Sequence, residues 1–335
     1  VEHVWLVRTP DAERRLRHDV ASWRLSGGFV TETSVRTFRR RSLRGYWAWL
    51  RSRFTFHTHG AYPMTRYAHR RHVVSLWHGM PIKAIGALNV TTPNPRPTFG
   101  SLHLATSAAY RPIIARAFRV AEEQVLVAAL PRCDVLCRPH PLAPDAARIR
   151  RTLGITTTRF VLWTPTYRAM GREVVDPTRP PSFLDDLPEG MLADLASAAD
   201  AADCTVVVKL HPFDPLNEVD VDLGEPNVRL LRSDDLLQAG VELYDVLSRS
   251  DGLLTDISSV LLDFLVSDRP VGVLGFDPSA YHRDLLVPLE PILASPRVDH
   301  LDGTLAIRSY FDGVVSRSVT RDDDLLAWAH DAPIG

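Results

Sequence analysis

The chain has 335 residues, 45% hydrophobic and 24% charged, with a formal net charge of −1. This is long and apolar enough to bury a large core and points to two domains. No run of about eighteen or more apolar residues occurs, so no membrane-crossing helix is expected. The three cysteines (Cys133, Cys137, Cys204) follow no framework spacing, which excludes a disulfide scaffold and fits a reducing cytoplasm. The small net charge hides an asymmetry. Residues 1–150 hold 24 Lys/Arg against 9 Asp/Glu, and the remainder 15 against 31. Such a split marks a surface that meets a polyanion.

Val1 to Val7 reads as a β-strand rather than a secretory signal. Arg14–Arg17 follows, then a dense basic run from Arg36 to Arg53, in which Tyr46, Trp47 and Trp49 interleave with arginines. A helix of that make-up suits an anionic bilayer face, with the aromatics packed into the core as the plainer reading. Nucleic acid attracts the same charges and is not expected as a partner.

Beyond residue 70, short β-branched runs alternate with helical patterns. Strands are expected at His72–Leu76, Gln124–Ala128, Arg159–Trp163, Cys204–Leu210, Gly252–Thr255 and Pro270–Leu274. Helices are expected at Ser107–Phe118, Asp145–Leu153, Gly190–Asp203 and Ser258–Val266, and a closing one at Arg321–Ala329. This alternation predicts an α/β fold with parallel sheets covered by helices. Proline-rich loops lie at Pro93–Pro97, Pro139–Pro144 and Pro177–Pro181. The second of them sets the expected boundary between domains 1–146 and 147–335.

Candidate chemistry sits where strands end. Of the 39 cations only Lys83 and Lys209 are lysines, each beside a histidine, in Trp77-His78-Gly79-Met80-Pro81-Ile82-Lys83 and Lys209-Leu210-His211-Pro212. Lysine serves well as a point charge against a phosphate oxygen. His78, in a Gly- and Pro-shaped turn, suits a general base. Lys209 on an apolar strand is costly unless it reaches an anion or water. In Thr255-Asp256-Ile257-Ser258-Ser259, a serine stands ready to cap the next helix and help hold an anion, with Asp263 one turn on. Pro165-Thr166-Tyr167-Arg168 and Leu130-Pro131-Arg132-Cys133-Asp134 offer further polar groups at strand ends.

In this order the five segments resemble the CDP-glycerol glycerophosphotransferase family, which builds poly(glycerol phosphate) chains and linkage units of teichoic acids and some capsules. The family's Trp-His-Gly-x-Pro-x-Lys stands at Trp77–Lys83, its Gly-x-Pro-Arg-x-Asp at Ala129–Asp134 and its Pro-Thr-x-Arg at Pro165–Arg168. Lys-x-His-Pro stands at Lys209–Pro212 and Thr-Asp-x-Ser-Ser-x-x-x-Asp at Thr255–Asp263. The resemblance covers roughly Trp77 to Asp277. Ala129, Cys133 and Ile257 depart from the usual Gly, Asn and Tyr, residues 1–70 match loosely, and the usual opening strand is missing.

The resemblance implies a GT-B-like fold, two Rossmann-type domains with parallel sheets facing across a cleft, the first on the acceptor side. It implies transfer of glycerol phosphate or a related alditol phosphate from a CDP-activated donor to a hydroxyl of a lipid-linked anionic acceptor, releasing CMP. By matching positions, His78 and His211 are catalytic, His78 as general base. Arg132, Lys209, His211, Ser258 and Ser259 hold the diphosphate with Thr166 nearby, and Asp263 bonds the glycerol hydroxyls. Trp77, Gly79, Pro81, Lys83, Pro165, Arg168 and Asp256 complete the substrate site. Phosphoryl transfer runs on positioning and charge neutralisation, so no cofactor and no metal is expected; His57, His59, His69 and His72 lack partners at zinc-ligand spacing. The basic half implies a cytoplasmic enzyme lying on the inner membrane face, with the last helix packing back on the first domain. A nucleotide-sugar glycosyltransferase and a noncatalytic membrane-surface or polyanion-binding module remain as alternatives. Primase versus polymerase, glycerol versus ribitol, the acceptor and the oligomeric state stay open.

Overall fold

The computed structural model describes residues 2–10, 12–14, 16–17, 20, 34–58, 72–89, 102–137, 146–166, 183–211, 214, 216, 223–256, 258–274 and 290–331, with side chains of the last helix described to residue 317. Strands β1 (Glu2–Val7) and β2 (Ser34–Arg39) pair in parallel as a two-stranded ribbon. Helix α1 (Leu43–Arg51) follows; Ser42 caps it by accepting from the Gly45 amide at 3.0 Å. The basic run from Arg36 to Arg53 is therefore not one helix. Val35, Thr37 and Phe38 favour an extended strand, and only nine residues wind into a helix. Trp49 turns inward at 4% exposure while Leu43, Tyr46 and Trp47 stay outside.

Strands β3 (Phe54–His57), β4 (His72–Ser75), β5 (Leu102–Ala105) and β6 (Val125–Val127) form a four-stranded parallel sheet in that order, with α2 (Tyr110–Phe118) linking β5 to β6. The chain then passes through a turn at Pro131–Cys133 into the short helix α3 (Asp134–Cys137) and α4 (Ala146–Thr152). Leu136 already lies in the core under the next sheet, with Ile149, Phe160 and Leu253.

That sheet has six parallel strands: β7 (Arg159–Thr164), β8 (Cys204–Lys209), β9 (Val228–Leu231), β10 (Gly252–Thr255), β11 (Val271–Leu274) and β12 (Val298–Leu301). Their spatial order is β12-β11-β10-β7-β8-β9. Chain direction across the sheet reverses between β7 and β10, which makes their shared edge a topological switch point. Every residue of β8, β10 and β11 is buried. Runs such as Thr205-Val206-Val207-Val208 can stand there because helices cover both faces. One face is covered by α5 (Met191–Ala201) and α10 (Thr304–Asp331), the other by α7 (Leu243–Arg249), α8 (Ser259–Phe264) and the short α9 (Glu290–Leu293); α6 (Ser233–Ala239) precedes α7.

Helix α10 shows why. Ile307, Tyr310, Phe311 and Val314 fall on one helical stripe and are at most 1% exposed. Burying each such side chain contributes about 1.5–3 kcal/mol. The buried Tyr310 hydroxyl donates to the Leu253 carbonyl at 3.1 Å. A side chain at Gly252 would meet that hydroxyl at 2.5 Å, so glycine is required for the close approach. The described side chains of this last helix pack on the six-stranded sheet, its own neighbour in sequence, rather than on the four-stranded one.

Candidate active site

The carboxyl end of β4 carries the first motif. The chain leaves the sheet through Trp77, whose φ of 53° lies in the left-handed region, an uncommon place for a non-glycine residue. The indole stacks over His78 at 3.9 Å and meets Phe118 edge-on at 4.8 Å. It therefore works as a wall that fixes the imidazole. His78 is exposed, and its Nδ1 faces the Thr58 carbonyl oxygen at 3.5 Å. A carbonyl only accepts, so this contact favours the Nδ1–H tautomer, in which Nε2 is the basic nitrogen.

Gly79 follows with φ 137°. A Cβ there would lie 2.9 Å from Ser259 Oγ and 3.0 Å from Arg132 Nη2. Only a glycine allows this conformation and this contact, and through it three sequence-distant motifs meet. Met80, Pro81 and Ile82 are buried behind it, and the Thr106 amide donates to Met80 Sδ at 3.4 Å, tying the loop to the end of β5. Lys83 is half-buried at the far end of the loop.

Arg132 reaches from the turn after β6 to the helix after β10. Its Nη2 and Nε donate to Asp263 Oδ2 at 2.7 and 3.0 Å. The Tyr244 hydroxyl, from α7, donates to the same oxygen. Asp263 is 3% exposed. Burial and the Asp263 charge also push the Cys133 thiol up to about 12, so it stays protonated and unreactive.

At the switch point the ends of β7 and β10 are laced together. Thr255 Oγ1 donates to the Thr164 carbonyl at 3.0 Å, and the Thr166 amide donates to Asp256 Oδ2 at 3.0 Å. The Thr166 hydroxyl also donates to Asp256, which is 2% exposed. Asp256 thus fixes Thr166 in place, and the neighbouring Pro165 is buried. Ser258 occupies the N-cap position of α8 with extended backbone but makes no side-chain cap bond. The helix after it has six residues, so its dipole is a small contributor and the anion-holding role falls to hydroxyls and cations.

Lys209 and His211 come to this edge on β8, the strand beside β7. Lys209 is 8% exposed and donates through Nζ to the Leu210 carbonyl. Burial holds its pKa below the usual lysine range, against a smaller opposing pull from Asp235. His211 is lowered by burial and then by the Lys209 charge, so it is neutral at pH 7. A nearby anion would raise the pKa of both groups.

A model of the family described as CDP-glycerol:poly(glycerophosphate) glycerophosphotransferase matches residues 1–305. The chain belongs to that family. It is 27% identical over 205 residues to a teichoic acid ribitol-phosphate primase of Bacillus spizizenii, a match covering 58% of this chain and 46% of that protein. It is 25% identical over 251 residues to the teichoic acid ribitol-phosphate polymerase TarK of Staphylococcus aureus, covering 72% of this chain and 46% of that one. The chain thus spans about half the length of these relatives. The structure is similar to wall teichoic acid polymerase TagF in a CDPG-soaked form, with TM-score 0.63 at 17% identity over 94% of this chain and 75% of that one. The fold is α/β and GT-B-like, as the glycerophosphotransferase resemblance implied.

Within that family frame, the motif residues Gly79, Arg132, Asp263 and Ser259 form one contact cluster, with His78 preceding Gly79 in the chain and Thr166, Asp256, Lys209 and His211 along the adjoining strand ends. Arg168, Tyr167, Pro212 and Ile257 lie outside the described residues, as do His59 and His69. Tyr244 is the member that sequence reading missed. It belongs to no motif and meets Asp263 only through the packing of α7 beside α8.

Proposed function

We propose that this chain transfers glycerol phosphate or ribitol phosphate from the CDP-alditol to a hydroxyl on a lipid-linked, anionic acceptor, releasing CMP. The observation that carries the reading is the meeting of Arg132 and Ser259 at Gly79, the residue after His78, beside the switch point of the six-stranded sheet. His78 Nε2 takes the proton of the acceptor hydroxyl as its oxygen attacks the alditol-bearing phosphorus. The new P–O bond forms as the bond to the bridging diphosphate oxygen breaks, and CMP leaves with that oxygen; the imidazolium then returns its proton to water. Arg132, Lys209, His211, Ser258 and Ser259 hold the diphosphate, and Thr166, set by Asp256, stands beside them. An arriving anionic donor favours the charged forms of Lys209 and His211. Such positioning and neutralisation supply most of what phosphoryl transfer requires.

The division at 146/147 makes the first part the acceptor side and the second the donor side. The acceptor reaches the first part from the inner face of the membrane. Leu43, Tyr46 and Trp47 stand exposed beside Arg41, Arg44 and Arg51, with Arg51 5.9 Å from the Trp47 ring, a composition that suits an anionic lipid surface. Among the described residues no helix is long and apolar enough to cross a membrane.

The test incubates the protein with CDP-glycerol, CDP-ribitol or a UDP-sugar and a lipid-linked acceptor, and follows CMP release and product length. Acceptor-dependent CMP release from a CDP-alditol is expected. Turnover of the UDP-sugar alone would replace this reading with a glycosyltransferase.

A further inference from the structure

The family resemblance gives Asp263 to the alditol hydroxyls, but this carboxylate is already engaged. Arg132 donates to Oδ2 twice, at 2.7 and 3.0 Å, and the Tyr244 hydroxyl donates to the same atom. At 3% exposure, little of Asp263 is left to meet a ligand. The guanidinium has the opposite standing. It is 24% exposed on its side chain, lies 5.6 Å from the Tyr244 ring centroid, and touches the Gly79 backbone beside Ser259. Asp263 occupies its Nε and one side of Nη2, which leaves the remaining N–H groups for an anion.

We propose that Asp263 and Tyr244 are positioning residues that aim the Arg132 guanidinium at the donor's diphosphate, and that neither touches the alditol. The proposal rests on the function proposed above. Its physical basis is that a free arginine loses about 2 kcal/mol of rotamer entropy when it is ordered, whereas one held by a buried carboxylate has been ordered during folding. Tyr244 in turn holds the carboxylate, through its hydroxyl and its ring beneath the cation. The choice between glycerol and ribitol then lies with residues other than Asp263.

The two roles predict different ligand dependence, and CDP separates them because it keeps the diphosphate and lacks the alditol. Calorimetric binding of CDP, CDP-glycerol and CDP-ribitol would be measured for the parent, Asp263→Asn, Tyr244→Phe and Arg132→Lys, alongside kcat/KM. Asp263→Asn is expected to weaken CDP and CDP-glycerol by the same factor, about 10- to 100-fold, with the glycerol-to-ribitol ratio of kcat/KM unchanged within about twofold. Tyr244→Phe should show the same pattern at about fivefold. Asp263→Asn added to Arg132→Lys should lose little more. Loss confined to the CDP-alditols, or a shifted glycerol-to-ribitol ratio, would overturn the positioning role and leave the reaction standing. A parent that binds neither CDP nor CDP-alditol would overturn both. If Asp263→Asn fails to fold, Tyr244→Phe carries the same two outcomes.

Discussion

The four-stranded and six-stranded sheets are both parallel, yet they are buried very differently. In the larger sheet the central strands are apolar on both faces and fully covered. In the smaller one, edge strand β3 leaves Phe54 and Phe56 at 52% and 63% exposure, and β6 leaves Leu126 at 53%. Its interior also holds Ser75 and His103, each 1% exposed, adjacent in register across β4 and β5. The Ser75 hydroxyl and both His103 ring nitrogens take no hydrogen-bond partner among the described residues. Buried polar groups without partners cost stability. The six-stranded sheet is thus a stiff platform, and the sheet that carries His78 is the softer one. The general base proposed for the acceptor hydroxyl stands on the part with less packing behind it.

The largest effect expected to sharpen this contrast comes from His78→Ala. Acceptor-dependent CMP release should fall about 10²- to 10⁴-fold while CDP binding stays within about twofold in calorimetry. Equal loss of CDP binding would break the division of labour. Next is Phe311→Ala, beneath the stiff sheet, with an expected cost of about 3–5 kcal/mol in urea unfolding; a cost below about 1 kcal/mol would show that this core is looser than its burial implies.

The soft sheet has its own signature in acid. Burial, and to a lesser degree the charge of His57, lowers the His103 pKa to about 4. The unfolded chain, with a histidine near 6.5, binds the proton first as pH falls. Stability from this group is therefore complete above about pH 6.5 and lost as the pH drops toward 4, by about 3 kcal/mol in all. His103→Phe should keep the ring stack on Phe118, 4.9 Å away, remove that acid limb from the melting curve, and match or exceed the parent melting temperature at pH 7. An unchanged acid limb would move its origin elsewhere. The smallest effect expected on activity is from Gly79→Ala, about tenfold in kcat/KM together with a lowered melting temperature, because φ 137° strains any residue with a Cβ and Ser259 and Arg132 must move to clear it. Full activity would mean that the contact is slack.

Legibility in the sequence follows the same division. β8 and β10 were plain because a strand buried on both faces is an unbroken apolar run. β9 and β12, the outer strands, carry Arg229 and Asp299-His300 mid-strand and gave no such signal. β5 was hidden by His103, and β3 by the polar Thr55 and His57 beside its phenylalanines. The site motifs could be read because loop residues at strand ends keep their chemistry in local order. Their contacts could not. Whether Asp263 faces a ligand or a guanidinium depends on α7, nineteen residues upstream, and on a turn 131 residues away. Similarly, charge density made residues 36–53 look like one helix, although the alternation in Val35-Arg36-Thr37-Phe38 carried the strand.

The Arg132–Asp263 bond has a mechanical side. It joins the stretch of chain that leaves the smaller sheet to a helix seated on the larger one, close to where the backbone itself crosses over. The two sheets are thus riveted at that corner by a side-chain pair as well as by the chain itself.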